Sequence, residues 1–277
     1  MRVPPALRTR RPELLKNFIL LACIFFAGCP GSPSPAKTPA SAPQSENNPF
    51  WDAGSGPSGS LIFHGCAGIY SKKEESIQLA LEEAAKKVAV FTLVEGRLLS
   101  FTNIGAGVFD YQSKTETSLI YGDPAAYTEA LAFDPETDVL ETNRTVFVRV
   151  RYQPPEPVSI PYRSSSFQNS VKPAWVDAPP VIPGYTVGLG YAGARAKYAD
   201  TITASWENSV FSIVTGLYGS AKEEITSTRG PGAFDVASSN TQEIRAAGKL
   251  RGFYILDTWT NPGDKSVWTL SIAQKSD

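Results

Sequence analysis

The chain offers chemistry few starting points, because it holds one histidine and three cysteines. His64 and Cys66 alternate along the strand-like run Leu61-Ile-Phe-His-Gly-Cys-Ala-Gly68 and so share a face. A cysteine nucleophile needs its base within hydrogen-bond distance, whereas side chains two apart on a strand are separated by roughly 6.5 Å along the backbone. A buried thiol beside an ordinary histidine is therefore expected. Asp134, Glu136 and Asp138 have the spacing that opens a calcium loop, but Val139 stands at the sixth position, where such a loop needs Gly, and Thr145 at the twelfth, where it needs Glu. These acids are expected to form a solvated turn, and no metal is expected, since one His and one free Cys cannot furnish a zinc cluster.

Gly188-Leu-Gly-Tyr-Ala-Gly193 satisfies G-x-G-x-x-G between a strand and a helix, the setting in which glycines let a backbone approach a pyrophosphate. A dinucleotide fold next requires a parallel strand ending in an acid about 20 residues on. That region, around Trp206 to Ile213, reads as the middle of a helix. The glycines are expected to make a tight strand-to-helix turn, with no cofactor. None of these groups forms a catalytic set, and no enzymatic activity is expected.

Cys29 has a more definite fate. Arg2, Arg8, Arg10, Arg11 and Lys16 precede an apolar run from Phe18, which ends in Ala27-Gly28 directly before the cysteine. That is the charged, apolar and small-residue layout of a secretory signal, and the run is far shorter than the ~20 residues a membrane-spanning helix needs. Phe26-Ala-Gly-Cys29 resembles the lipobox of bacterial lipoproteins, with Phe26 where Leu is usual. The resemblance implies cleavage before Cys29, a thioether-linked diacylglycerol on its sulfur and an acyl chain on its amine. Residues 1–28 are then a signal peptide and Cys29 the lipid attachment site. Several acyl chains on one residue anchor durably, where a single chain anchors only marginally.

Residues 29–60 are rich in Pro, Ser and Gly, a composition that cannot bury enough apolar surface to offset the entropy of ordering. They are expected to form a disordered tether, interrupted by Phe50-Trp51, a pair expected to dock on the folded part or simply to start it. A formal net charge of −1 gives no basic excess and argues against a nucleic-acid partner. With Cys23 removed and Cys29 modified, Cys66 has no partner for a disulfide.

Beyond the tether the expected class is α+β, in two similar units at residues 61–153 and 173–277 joined by a linker at 154–172. In the first, Ile77, Leu81, Ala84, Val88 and Phe91 recur at helical spacing, Ser71 and Glu74 form a capping box, and Thr145–Tyr152 reads as a closing strand. In the second, Tyr198, Ile202, Trp206, Val210, Ile213 and Leu217 form the helical stripe, and a type II turn at Asn261-Pro-Gly-Asp264 closes a hairpin. A single offset of 122 superposes Phe63 on Tyr185 and Phe147 on Thr269. Each unit is expected to pack one long amphipathic helix on a mostly antiparallel sheet.

The second unit, from Pro173-Ala-Trp175 through Gly188-Leu-Gly190 to Trp268-Thr-Leu-Ser-Ile272, resembles the LPP-twenty family of bacterial lipoproteins. The resemblance implies a lipobox, a tether and this α+β domain, at the outer membrane on its periplasmic or surface face. The functional expectation is a lipid-anchored envelope lipoprotein that acts as a non-enzymatic interaction or scaffolding module. Its partners would be the bilayer, through acylated Cys29, and another envelope protein or a cell-wall component. The alternative is a small-ligand-binding lipoprotein that uses the cleft between the two units.

Overall fold

In the computed structural model, described residues are 49–51, 59–104, 111–158, 160, 166, 167, 169–229 and 236–274. The expected signal peptide, Cys29 and most of the expected tether lie outside them. The first half runs β1 (Leu61–Gly68), α1 (Lys73–Thr92), β2 (Val94–Ile104), β3 (Tyr111–Tyr121), α2 (Ala125–Thr128), β4 (Leu131–Ala132), β5 (Val139–Glu141) and β6 (Thr145–Tyr152). The second runs β7 (Tyr185–Ala192), α3 (Tyr198–Tyr218), β8 (Ser220–Arg229), β9 (Val236–Leu250), β10 (Tyr254–Thr260) and β11 (Val267–Gln274). Every strand pairing is antiparallel, and the class is α+β.

In each half the closing strand returns to pair with the opening one, β6 with β1 and β11 with β7. On the far side of β6 lie β4 and β5, and on the far side of β11 lies β10. The two long helices begin 125 positions apart, whereas the closing strands begin 122 apart. The single offset of 122 thus fits the closing strands but not the helices or hairpins, because the chain between hairpin and closing strand differs in length.

The halves do not stand apart as two separately cored units. The hairpins β2–β3 and β8–β9 merge into one sheet of order β3-β2-β9-β8, with β2 and β9 paired from Val94↔Leu250 to Ile104↔Asn240. One apolar cluster joins Phe63, Ala84, Val88 and Val148 to Trp175, Tyr254, Leu270 and Ile272, and a second joins Val90 and Val94 to Trp206, Ile213 and Leu250. Burial of side chains this large contributes about 1.5–3 kcal/mol each. The linker belongs to the same body: Ile160 is buried, the Ser166 amide and Trp175 Nε1 donate to Asp257, and Trp259 Nε1 donates to the Asn169 carbonyl.

Helix α1 lies on β1 and β6 through Ala80, Ala84, Val88 and Phe91, while Ile77 and Leu81 are only half-buried. Helix α3 buries Ile202, Trp206, Val210 and Ile213, and Leu217 stays exposed. The capping box at Ser71 and Glu74 does not form: α1 starts at Lys73 and its cap residue Lys72 makes no side-chain bond. Instead Ser76 Oγ accepts from the Tyr70 amide at 2.9 Å, and Thr201 Oγ1 accepts from the Arg195 amide at 3.0 Å at the start of α3. A hydroxyl inside the first turn thus ties down the entering strand in both halves.

The turn between β10 and β11 is not of type II, because Lys265 rather than Gly263 has positive φ, at 61°. The Asn261 carboxamide accepts from the Gly263 amide and Asp264 accepts from Ser266, and these side-chain bonds set a different turn geometry.

Candidate functional site

Gly188 and Gly190 lie within β7 and not in a turn after it, which corrects the expected role of the G-x-G-x-x-G run. Helix α3 crosses β7 at these residues. A Cβ on Gly188 would lie 2.6 Å from the Ser209 carbonyl oxygen, and one on Gly190 would lie 1.8 Å from that of Ser205. The glycines therefore admit a helix where a dinucleotide site would need them to admit a phosphate. Ser205 Oγ occupies this junction, 3.2 Å from the Gly190 carbonyl and 2.8 Å from Thr269 Oγ1.

The acidic run also takes a different form. Asp134 does form a local turn, accepting from the Glu136 amide and Thr137 Oγ1, bonds that lower its carboxyl pKa. Asp138, expected in solvent, is fully buried and bound by the Arg149 and Arg151 guanidiniums at 2.8 and 3.1 Å. Both arginines come from β6, so this carboxylate cross-links a loop to the sheet. Among the described residues no group of three or more His, Cys, Asp or Glu is placed to hold a metal.

His64 and Cys66 each engage other groups. His64 Nε2 lies 2.8 Å from the Phe50 carbonyl, and Cys66 Sγ faces the Ala199 carbonyl at 4.0 Å. Burial lowers the His64 pKa to about 4 and raises that of Cys66 to about 12. A neutral imidazole and a protonated thiol are the resting species, which suits packing rather than nucleophilic attack. Phe50 and Trp51 are buried here, with Trp51 stacked on Phe167 at 3.9 Å and edge-on to Phe147 at 5.0 Å. The aromatic pair docks on the body, as expected.

Below Trp51 a cavity of about 80 Å³ separates β1 from β10. These strands do not pair with each other, and side chains fill part of the gap: Tyr254 Oη donates to the Ile62 carbonyl at 2.6 Å and Lys87 Nζ to the His64 carbonyl at 2.7 Å. Lys87 also pairs with Glu83, which accepts from Trp206 Nε1 and Thr203 across to α3. Next to it Lys86 pairs with Glu207 at 2.7 Å and lies over the Trp206 ring. Burial alone would lower the Lys86 pKa, but Glu207 outweighs it and the net shift is upward. This network joins α1 to α3 without a linkage that sequence spacing could reveal.

A second, open cleft of about 700 Å³ lies between the halves, at the entrances of both long helices. Gly68–Tyr70 and Thr142–Thr145 line it from the first half, Ala194–Tyr198, Thr201 and Lys265 from the second. Arg144, Arg195, Lys197 and Lys265 supply four cations, and among the described residues no carboxylate lines the cleft. Among the described residues none of the four has an ion-pair partner; Lys197 lies 5.3 Å from the Tyr70 ring centre. Thr145 also lines the cleft, and its Oγ1 is buried without a hydrogen-bond partner. Sequence reasoning expected a cleft between the two units but named none of its cations, because they come from three distant loops. No family model matches the chain, and no curated protein or solved structure gives a match to it.

Proposed function

We propose that the protein is a lipid-anchored envelope lipoprotein, attached through acylated Cys29, whose α+β body is a non-enzymatic interaction module for another envelope component. The reading rests on the signal and lipobox pattern. Its main support from the fold is the docking of Phe50-Trp51, which fastens the end of the tether to the body. Only about 20 residues then separate Cys29 from the docked pair, so the attachment point lies within about 70 Å of the body. Replacement of Cys29 by Ala should abolish acyl-chain labelling and move the protein from the membrane fraction to the soluble one. Retention of either property removes the anchor from the reading.

The basic cleft favours a second use, binding of a small anionic ligand between the halves. Unpaired cations around a concave surface stabilise a phosphate or carboxylate by charge-assisted hydrogen bonds. Calorimetric titration with inorganic phosphate and with a dicarboxylate should show binding that weakens as salt is added, and weakens further in the Arg195→Gln, Lys197→Gln double variant. Absence of heat with both probes at low salt counts against it.

A further inference from the structure

Among the described residues, the four-stranded sheet of the two hairpins ends in two unpaired edges: strand β3 pairs only with β2, and β8 only with β9. These edges are long, at 11 and 10 residues. Soluble proteins blunt long edges with proline, bulges, charged side chains or very short strands, because a row of unpaired amides and carbonyls recruits another strand. Here neither edge contains proline and both ladders run without a register shift. The charges present include Lys114 and Glu116 on β3 and Lys222, Glu223 and Glu224 on β8, which are of both signs and can pair across an antiparallel junction.

The directions of the two edges suit each other. Strand β2 is antiparallel to both β3 and β9, and β9 is antiparallel to β8, so β3 and β8 run in opposite senses. A second copy brought alongside by rotation, with no inversion, lays its β8 antiparallel to β3 of the first. Alternation then continues unbroken across the junction. The same rotation can be repeated until the ring closes, which is the heterologous geometry of cyclic assemblies.

The two faces of the sheet differ in a way that a lone chain does not require. Side chains directly opposite each other share a face. On one face Ser100 stands opposite Thr115 and Ile244, and Thr102 opposite Ser113 and Gln242, all uncharged, and Glu223 of β8 stands opposite Gln242. On the other Phe101 stands opposite Lys114 and Glu243, and Leu99 opposite Glu116 and Arg245, with Lys114–Glu116 and Arg245–Glu243 paired at 2.6 Å. Helix α3 covers only the base of the uncharged face, where Val214 and Tyr218 meet Gly96 and Gly248. Farther out, both faces of a single chain would meet the same water, and nothing would concentrate charge on one of them. In a closed ring one face turns inward and the other outward.

We infer that copies of this chain join head to tail, β3 of one pairing with β8 of the next, to close a ring whose hairpins form a continuous β-barrel. The junction does not depend on Cys29, so it stands or falls apart from the lipid anchor.

The test uses the full chain, purified in detergent, with its mass measured by light scattering during size exclusion. Wild-type protein should have the mass of several chains, and so should Cys29→Ala. Thr117→Pro blocks the β3 edge and Thr226→Pro the β8 edge. Each variant alone should be monomeric, and an equal mixture of the two should give a dimer and nothing larger, since one competent junction remains. Should proline melt the hairpins, seen as lost β signal in circular dichroism, Thr117→Lys and Thr226→Lys are read in the same way. Wild-type protein that is monomeric at every concentration overturns the inference, as does either edge variant that keeps the wild-type mass.

Discussion

Gly65 on β1 and Gly190 on β7 stand in the same relation to the helix that crosses them: a Cβ on either would lie 1.8 Å from a carbonyl oxygen fifteen residues on, that of Ala80 or Ser205. Neither glycine has positive φ. Both are required by the close approach of helix to strand, and the obstacle is backbone, which cannot rotate away. Alanine at either position must push the helix off its sheet. We expect Gly65→Ala and Gly190→Ala each to cost about 3 kcal/mol or more, at or above the upper end for overpacked cores, read as a shift in urea midpoint. Gly216, in α3, has open space where its Cβ would be. Gly216→Ala should stabilise by about 0.5–1 kcal/mol, and a loss there would contradict the assigned helix.

Those glycines also show where local pattern succeeds and where it stops. Thr145–Tyr152 is legible as a strand because its β-branched and aromatic run carries its own signal, and the stripes Ala84, Val88, Phe91 and Ile202, Trp206, Val210 are legible as helix faces because burial follows their spacing. Ser220–Arg229 is a strand only because β9 pairs with it, and its sequence, Ser-Ala-Lys-Glu-Glu-Ile-Thr-Ser-Thr-Arg, has no apolar alternation to reveal that. Gly188-Leu-Gly190 reads as a turn because glycine is the commonest turn residue, and only the position of α3 shows that the missing Cβ matters. The basic cleft is beyond reach of spacing altogether, since Arg144, Arg195 and Lys265 meet only through the fold.

Asp138 is the most demanding charge among the described residues. It is fully buried, and its two oxygens are shared between Arg149 and Arg151. Removal of this carboxylate takes a shared ion-pair partner from both guanidiniums at the edge of the core. Asp138→Ala should cost about 3–5 kcal/mol. Asp134→Ala, which removes an exposed turn carboxylate, should shift the denaturation midpoint far less. Equal effects of the two variants would mean that the arginines do not depend on Asp138.

His64 gives the fold a pH dependence of predictable sign. Its folded pKa, lowered by burial to about 4, lies below the ordinary 6.5. The unfolded chain therefore takes up a proton before the native one does as pH falls. Stability from this residue is fully present above about pH 6.5 and is lost between there and pH 4. The loss is at most about 3 kcal/mol, because His64 keeps part of its surface in contact with solvent. Urea melts of wild type and His64→Gln across that window should differ in slope, the variant being flatter. Parallel curves would show that His64 titrates normally in the folded state.

Cys66 should be chemically quiet. Thiolates react and thiols do not, and a thiol whose pKa is raised to about 12 by burial has almost no thiolate at neutral pH. A maleimide reagent added to native Cys29→Ala protein lacking its signal segment should label Cys66 only as fast as the fold opens, and urea should make labelling rapid. Prompt labelling under native conditions would mean that the Trp51 and Phe147 side of β1 opens locally, without global unfolding.

Asp257 sits at a break in the register between β10 and β11 and holds the linker in place. One carboxylate oxygen accepts from the Ser166 and Thr258 amides, the other from Trp175 Nε1 at 2.8 Å. Asp257→Ala leaves these donors buried without acceptors, at about 1–3 kcal/mol for each one left unsatisfied. Asp257→Asn retains one acceptor oxygen and should cost less. The distinguishing readout is protease cleavage between residues 154 and 172. Alanine should release that segment and speed cleavage there well before the body melts. Cleavage that rises only in step with global unfolding would show that Ile160 and Trp175 hold the linker by packing alone, independently of the Asp257 hydrogen bonds.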